Sequence, residues 1–277
     1  LKMYSYASRD ALKTLAGITG TGDDAQYRRV LEAVTSQLDA FMRRTFRTYL
    51  ATYYFSPQSS RRVLLDAEEL GLGLLSVTSL KTDEDGDRTY ETTWATTDYD
   101  LLPLNAANRQ RPYWEITITP EGTEAFPRIQ KGLEVVGKWG FYEDLVRNDS
   151  LLAEGLDATE VGIDVDDGTD FEVLQTILVD SEQMYITAIA TNTLTVVRGV
   201  NGTTAATHSD NAVIDVYRYP YAVSEAALMH ASRLWTRRSS GYANEVGFGD
   251  TGTMRPWVGM DLEVQEMLAD YRLQGVG

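Results

Sequence analysis

The side chains best suited to chemistry in this sequence are its two histidines, because imidazole titrates near neutral pH and can act as a base or a metal ligand. His208 stands directly beside Ser209 and Asp210, the three residue types of a hydrolytic triad. Neighbouring side chains of an extended loop point apart, however, and triads are assembled from residues that meet only in the fold. His230 lies in a segment with helical apolar spacing, which favours a packing or surface role. The sequence therefore predicts no catalytic residue.

Two acidic clusters, residues 83–87 and 164–170, contain the carboxylates that a calcium site needs. Neither keeps the EF-hand spacing. Arg88 follows the first cluster where glycine is required, and Gly168 replaces the fifth-position ligand of the second. The clusters are interpreted as solvated turns, with adventitious Ca²⁺ binding as the alternative. The chain has no cysteine, which excludes disulfides and thiolate zinc sites, and no metal site is predicted.

A glycine pattern, GFGDTG at residues 247–252, matches the letters of a dinucleotide-binding loop. No apolar strand precedes it, and Pro256 interrupts the helix that should follow, so a phosphate would meet no helix N-terminus. The segment is interpreted as a flexible loop. No GxxxxGK[ST] sequence occurs, no cofactor is predicted, and the sequence favours a protein without enzymatic activity.

The charge balance limits the possible partners. Forty-one acidic and twenty-five basic residues give a formal net charge of −16, which argues against a surface that wraps DNA by neutralising phosphates. An acidic channel, by contrast, lets DNA slide past without retaining it. No apolar run approaches the roughly 20 residues of a membrane-spanning helix, and no signal-peptide stretch is seen, so a soluble chain that is not exported is expected.

Helical spacing marks both ends of the chain. A short helix is expected after Ser8, followed by a longer one over about residues 23–44, where apolar side chains recur at three- and four-residue steps. Near the other end, Ser224 is the expected N-cap of a helix with an Ala- and Leu-rich stripe. Asp261 is the expected N-cap of the last helix.

Between these helices the period changes to that of short strands. Trp114, Ile116 and Ile118 alternate with polar residues, which predicts a sheet with one buried face. A hairpin is expected with Asn192 at its turn, and Asn201-Gly202 predicts another tight turn. The predicted fold is α+β, with a helical core built from both chain ends and a large all-β insertion. The predicted domains are the N-terminal part of the helical core at 1–46, a β insertion domain at 47–150, a small β module at 151–219, and the C-terminal part of the helical core at 220–277.

Several segments resemble one known family. The segment MHASRLWTRRSSGYANEVGFG resembles a small-residue helix that ends in Arg-Leu-Trp, basic residues and a Gly-rich loop. The segment DLEVQEMLADYR, residues 261–272, is similar to that family's closing helix, and YASRDALKTLAGITGTGDDAQYRRVLEAVTSQLDAFMRRTF is similar to its first two helices. VRGVNGTTAATHSDNAVIDVY resembles a β module of phage tail and connector proteins. In this order, the segments resemble the head-to-tail connector (adaptor, head completion) proteins of tailed bacteriophages.

This resemblance implies a structural virion protein of the neck, assembled in the cytoplasm of a bacterial host. Its expected partners are other copies of itself in a ring, a dodecamer in this family, the portal above the ring, and a stopper or tail-completion protein below it. DNA would pass through the lumen without tight binding, and no membrane is involved. The C-terminal segment would contact the portal or a neighbouring subunit through Arg255, Trp257, Val264, Met267, Leu268, Tyr271 and Arg272.

Three alternatives to this interpretation remain at the level of sequence. Trp257 could anchor the interface, as aromatic residues often do, or pack on its own core. The chain could be a tail or baseplate structural protein that shares the β module. The many Tyr and Trp residues in the β segments also fit a carbohydrate-binding protein of the virion surface.

Overall fold

The computed structural model describes residues 2–65, 73–122, 124–238, 246–248, 252–254 and 259–273, with only the backbone described at 246–248 and 252–254. Helices lie near both chain ends and antiparallel strands lie between them, so the predicted α+β fold is confirmed. The chain forms two compact units. The first unit contains Leu1–Met42, Leu145–Val200 and Thr204–Arg272, and the second contains Arg43–Asp144, Asn201–Thr203 and Leu273–Gly277. Within the described ranges, no helix has the length and apolar character needed to cross a bilayer.

The described part of the first unit contains four α-helices. Ser8 caps the first helix as predicted, since its Oγ accepts the Ala11 N–H at 3.0 Å. The prediction for Ser224 is wrong, because the third helix begins before it and the Ser224 N–H already bonds to the Pro220 carbonyl at 3.1 Å. Proline is common at the start of a helix because its fixed φ suits helical geometry. The helices are α1 (Arg9–Leu15), α2 (Asp24–Met42), α3 (Tyr221–Arg238) and α4 (Leu262–Leu268), with a 3₁₀ turn at Ala269–Tyr271.

The helices from the two chain ends pack together. The ring centres of Tyr27 on α2 and Trp235 on α3 lie 4.1 Å apart. Three small side chains of α3 are fully buried, namely Ala226, Ala227 and Ala231, and small residues let helix backbones approach closely. The predicted helical core built from both ends is therefore confirmed.

The described part of the second unit contains seven strands in two antiparallel sheets. One sheet has the order β1-β7-β3-β4 and the other the order β2-β6-β5. Ile116 and Ile118 are buried as predicted, whereas Trp114 precedes its strand and is 39% exposed, so its assignment to the buried face is wrong. The strands are β1 (Tyr49–Phe55), β2 (Arg62–Leu64), β3 (Gly73–Thr82), β4 (Thr92–Thr93), β5 (Tyr99–Leu102), β6 (Glu115–Ile118) and β7 (Leu133–Gly140).

The first unit also contains a six-stranded antiparallel sheet, in the order β8-β13-β10-β11-β12-β9. Its two edge strands are joined by a bridge between Leu152 and Val165, so the sheet closes around its own apolar core. The β11–β12 hairpin turns at Thr191 and Asn192, as predicted. The strands are β8 (Asp144–Leu151), β9 (Gly162–Asp164), β10 (Thr176–Val179), β11 (Glu182–Ala190), β12 (Thr193–Val197) and β13 (Val213–Arg218).

The two ends of the glycine pattern at residues 247–252 lie on two short paired strands. Strands β14 (Val246–Phe248) and β15 (Gly252–Met254) pair antiparallel, with Phe248 opposite Gly252. The interpretation of this stretch as an irregular loop is therefore wrong for its two ends. A pair of antiparallel strands also differs from the strand, turn and helix that hold a dinucleotide phosphate.

Candidate functional site

Helix α4, the 3₁₀ turn after it and Arg272 contain five of the seven residues predicted to contact the portal or a neighbouring subunit. Asp261 caps α4 as predicted, because its Oδ1 accepts the Glu263 N–H at 3.0 Å. Arg233 of α3 forms ion pairs with Asp261 and, at 3.4 Å, with Glu263. The hydrogen bonds from Arg233 and the Glu263 N–H lower the pKa of Asp261. These contacts hold the start of α4 against α3.

Two of the predicted interface residues face inward. Val264 and Leu268 are fully buried, and α4 packs against α3. Both side chains therefore stabilise the helix pair, and either could touch a portal only by leaving this core. Arg255 and Trp257 lie outside the described residues, so the choice between an anchoring and a packing Trp257 stays open.

The other predicted interface residues are accessible. Met267 and Tyr271 are partly buried and Arg272 is exposed. The Arg272 guanidinium lies 5.0 Å from the centre of the Phe41 ring on α2, a cation–π contact that orients the charge at the surface. We define Met267, Tyr271 and Arg272 as the C-terminal face, and its contact with a partner stays a prediction.

A cleft of about 340 Å³ lies between α3 and the start of α4. His230 lines it, but its Nε2 is within 2.8 Å of the Gln37 Oε1 and the side chain is buried. Burial, with the charge of Arg233, lowers the pKa of His230, so the ring is neutral at pH 7. His230 thus packs in the helical core, which is one of the two roles that the sequence favours. The cleft is lined by His230, Ser232, Arg233, Leu234, Thr236, Arg237, Gly259 and Asp261.

A buried polar network that sequence reasoning missed lies in the closed sheet. Glu182, at the start of β11, has a fully buried side chain and accepts two hydrogen bonds from Arg198, at 2.7 and 2.8 Å. His208 places its Nε2 2.9 Å from the same carboxylate and its Nδ1 2.7 Å from Asp180. Neither ring nitrogen is left for the Ser209 hydroxyl, so the arrangement holds a loop rather than a nucleophile.

The Arg198 guanidinium also ties down two loops. It donates to the carbonyls of Asp157 and Glu160, at 3.0 and 2.8 Å, and to that of Ala206 at 2.7 Å. The carboxylate of Glu182 in turn accepts the N–H groups of Gly199 and Ala206, both at 2.9 Å. Every polar group of the buried pair is therefore matched, which is the condition under which a buried ion pair is tolerated.

The network makes stability depend on pH. Burial alone would raise the pKa of Glu182, but hydrogen bonds from Arg198, His208 and two backbone N–H groups outweigh it and lower the pKa from 4.5 to about 2. The stabilisation is therefore complete above pH 4.5 and is lost as the pH falls towards 2. The lowering of the Glu182 pKa from 4.5 to about 2 corresponds to about 3 kcal/mol of folding stability at pH 7. We expect urea titrations from pH 7 to pH 2 to show the stability gap between the wild type and Glu182→Gln closing in that window. A gap that stays constant would contradict the assignment.

The first acidic cluster is a turn held by its own carboxylate. Asp83 is fully buried and accepts the N–H groups of Gly86 and Arg88, at 2.6 and 3.0 Å. Among the described residues, one cluster of three carboxylates is compact enough to hold a metal ion. Oxygens of Asp83, Asp85 and Asp87 lie within 4.8 Å of one another. Both carboxylate oxygens of Asp83 already accept backbone N–H groups, which agrees with the interpretation of the cluster as a turn. Adventitious Ca²⁺ binding stays the alternative.

The second acidic cluster is part of the closed sheet. Asp164 accepts the Thr193 hydroxyl at 2.6 Å, and Asp166 accepts the Leu151 N–H at 3.2 Å. Asp167 caps a 3₁₀ turn by accepting the Thr169 N–H at 2.9 Å. These carboxylates serve local structure, and they are spread along the backbone instead of converging on one point.

Comparisons with known proteins complete the description. No protein-family model matches the chain, and no curated protein sequence matches it significantly. The chain is similar to a chain in a solved structure described as the neck of an empty GTA particle computed with C6 symmetry. The sequence identity is 12% and the TM-score 0.44, over 98% of this chain and 91% of that chain. At these values the likeness does not by itself assign a fold or a function.

Proposed function

We propose that this chain is a head-to-tail connector subunit of a tailed phage or phage-like particle. The observation that carries the proposal is the packing of the two chain ends. The segments that resemble the first two helices and the closing helices of connector proteins form one helical core, in which Gln37 contacts His230 across 193 positions of sequence. Segments so far apart in the chain need not meet, and their meeting supports a shared architecture.

In this proposal the subunits form a ring, a dodecamer, between the portal and the stopper or tail. The work of the protein is adhesive and geometric. The end of α4 and the turn that follows it present the C-terminal face, Met267, Tyr271 and Arg272, to the portal or to a neighbouring subunit. The net charge of −16 supports a lumen through which DNA passes without being retained.

The mass of the purified chain, alone and mixed with the portal of its phage, tests this proposal. Native mass spectrometry is expected to show a ring of twelve copies on each portal. With Arg272→Glu we expect fewer portals to carry a ring, because the reversed charge changes the C-terminal face. Arg29→Glu, which makes the same change at an exposed position of α2, serves as the control. A stable small oligomer that ignores the portal would contradict the proposal and favour a tail or baseplate role.

A further inference from the structure

Arg44, in the second unit, is a cation without a matching anion. Its side chain is partly buried, and its Nε is shielded from solvent with no hydrogen-bond partner. The guanidinium lies 4.7 Å from the centre of the Phe141 ring, and it forms no ion pair within the described ranges. Buried charges in proteins are normally paired, so a missing partner is informative.

Arg111 brings a second positive charge to the same end of the sheet. Tyr113 exchanges two backbone hydrogen bonds with Leu74 at the start of β3, at 2.9 and 2.8 Å. Strand β3 begins opposite the last residue of β7, which runs directly into Phe141 beneath Arg44. Arg111 is exposed and, like Arg44, has no ion pair with any described residue.

Two glycines allow these segments to approach so closely. A Cβ on Gly73 would lie 1.9 Å from the Cβ of Pro112, and one on Gly140 would lie 2.6 Å from the Arg47 carbonyl oxygen. Gly140 also has a φ of 152°, which larger residues rarely adopt. These close approaches hold the segments that carry Arg44 and Arg111 at the end of the sheet where β3 begins and β7 ends.

The two charges act on each other. Burial, and then the charge of Arg111, lower the pKa of Arg44 to about 10, so the guanidinium is strained electrostatically but still charged at pH 7. An oxyanion between the two side chains would relieve both the burial of one charge and the repulsion between the two.

We propose that Arg44 and Arg111 bind carboxylates from the acidic loop, residues 83–87, of a second copy of this chain. This inference rests on the proposed ring and names its subunit contact. Two copies that each carry a net charge of −16 repel each other, and an interface between them needs local positive charge. The loop presents Glu84 and Asp85, both exposed, for this contact.

The position of the loop points to a different copy. It follows Thr82, the last residue of β3, whereas the arginines lie beside Gly73, the first residue of that strand. Ten residues of strand span about 30 Å, so in this fold the loop cannot reach the arginines of its own chain. A contact between unlike surfaces of successive copies is head-to-tail, and it closes into a ring when the rotation allows.

A charge-swap experiment tests the contact. One variant carries Arg44→Glu with Arg111→Glu, and the other carries Glu84→Lys with Asp85→Lys, leaving Asp83 to hold the turn. Each variant alone is expected to self-associate about tenfold more weakly than the wild type, or worse, because like charges meet at every contact. An equimolar mixture should recover assembly as alternating rings with an even number of subunits, because both kinds of contact are then complementary.

The controls separate the possible causes. Arg62→Glu makes a single Arg→Glu charge reversal at an exposed position of the same unit and should assemble like the wild type, and circular dichroism checks that each variant is folded. Normal assembly of the arginine variant, or no recovery in the mixture, would overturn the contact while leaving the connector proposal standing. A wild type that stays monomeric with and without the portal would overturn both. If the arginine variant assembles normally but loses binding to a duplex DNA oligonucleotide, the ligand is phosphate and the inference is wrong.

Discussion

Replacing Glu182 with Gln is expected to destabilise the first unit by about 3–5 kcal/mol at pH 7, the cost of breaking a buried ion pair from one side. The substitution keeps the size of the side chain but removes its charge. Arg198, whose side chain is 6% exposed, then lacks the anion that balances it, and one nitrogen of His208 loses its carboxylate partner. Urea unfolding followed by circular dichroism measures the loss.

The matched control for this prediction is Glu154→Gln. Glu154 lies in the same unit, is exposed, and has no ion pair with any described residue, so the same chemical change should alter stability by no more than about 0.5 kcal/mol. A loss below 1 kcal/mol for Glu182→Gln would mean that solvent reaches the network and replaces the missing charge. In that case the network would not hold the loops around the closed sheet.

Replacing Gly168 with Ala is expected to cost about 3 kcal/mol or more, because an added methyl group has no room. Its Cβ would lie 2.0 Å from the carbonyl oxygen of Thr191 and 3.1 Å from the Cα of Asn192. Backbone atoms cannot rotate away as a flexible side chain can. The β11–β12 turn would have to move, which would strain the hydrogen bond from the Gly168 N–H to Asn192 and the one from Asn192 to the Asp166 carbonyl, at 3.2 and 2.9 Å.

Gly162→Ala provides the comparison within the same sheet. There the nearest atom to an added Cβ is the Thr193 Cγ2 at 3.6 Å, an ordinary van der Waals contact. We expect a neutral or slightly stabilising effect, up to about 1 kcal/mol, because alanine reduces the freedom of the unfolded chain. Thermal unfolding of the two variants side by side checks the difference. Equal effects would show that the Gly168 contact with the turn yields easily.

Most of the local structure follows from local patterns. Ser8 and Asp261 cap their helices as predicted, because an N-cap depends on a side chain and backbone groups only two or three residues away. The turn at Asn192 follows for the same reason. So does the turn at Asn201-Gly202, where Asn201 has a φ of 56° and Gly202 a φ of 86°. The N-cap prediction for Ser224 is wrong because the helix begins directly after Pro220, four positions earlier, where the proline carbonyl accepts the Ser224 N–H.

The polar network around Glu182 could not be predicted in the same way. Arg198 lies 16 positions and His208 26 positions away from Glu182, and the pairing of strands and the paths of two loops bring the three together. The only signal in the sequence is a histidine in an acidic, β-rich stretch, and its neighbours Ser209 and Asp210 drew attention to the wrong partners. The same holds for Gly168, whose role depends on a turn more than twenty positions further along the chain.

The sequence by itself determined the α+β class, the helices at both ends and the turns between the strands, because periodicity, capping and turn chemistry act over a few residues. It also determined the acidic balance that any partner must accommodate. Only the tertiary structure decided which charges are paired. It matched Glu182 with Arg198, and it left Arg44 beside Arg111 with no anion among the described residues. Those outcomes depend on distances between segments remote in sequence, which strand pairing and packing set and which no local pattern encodes.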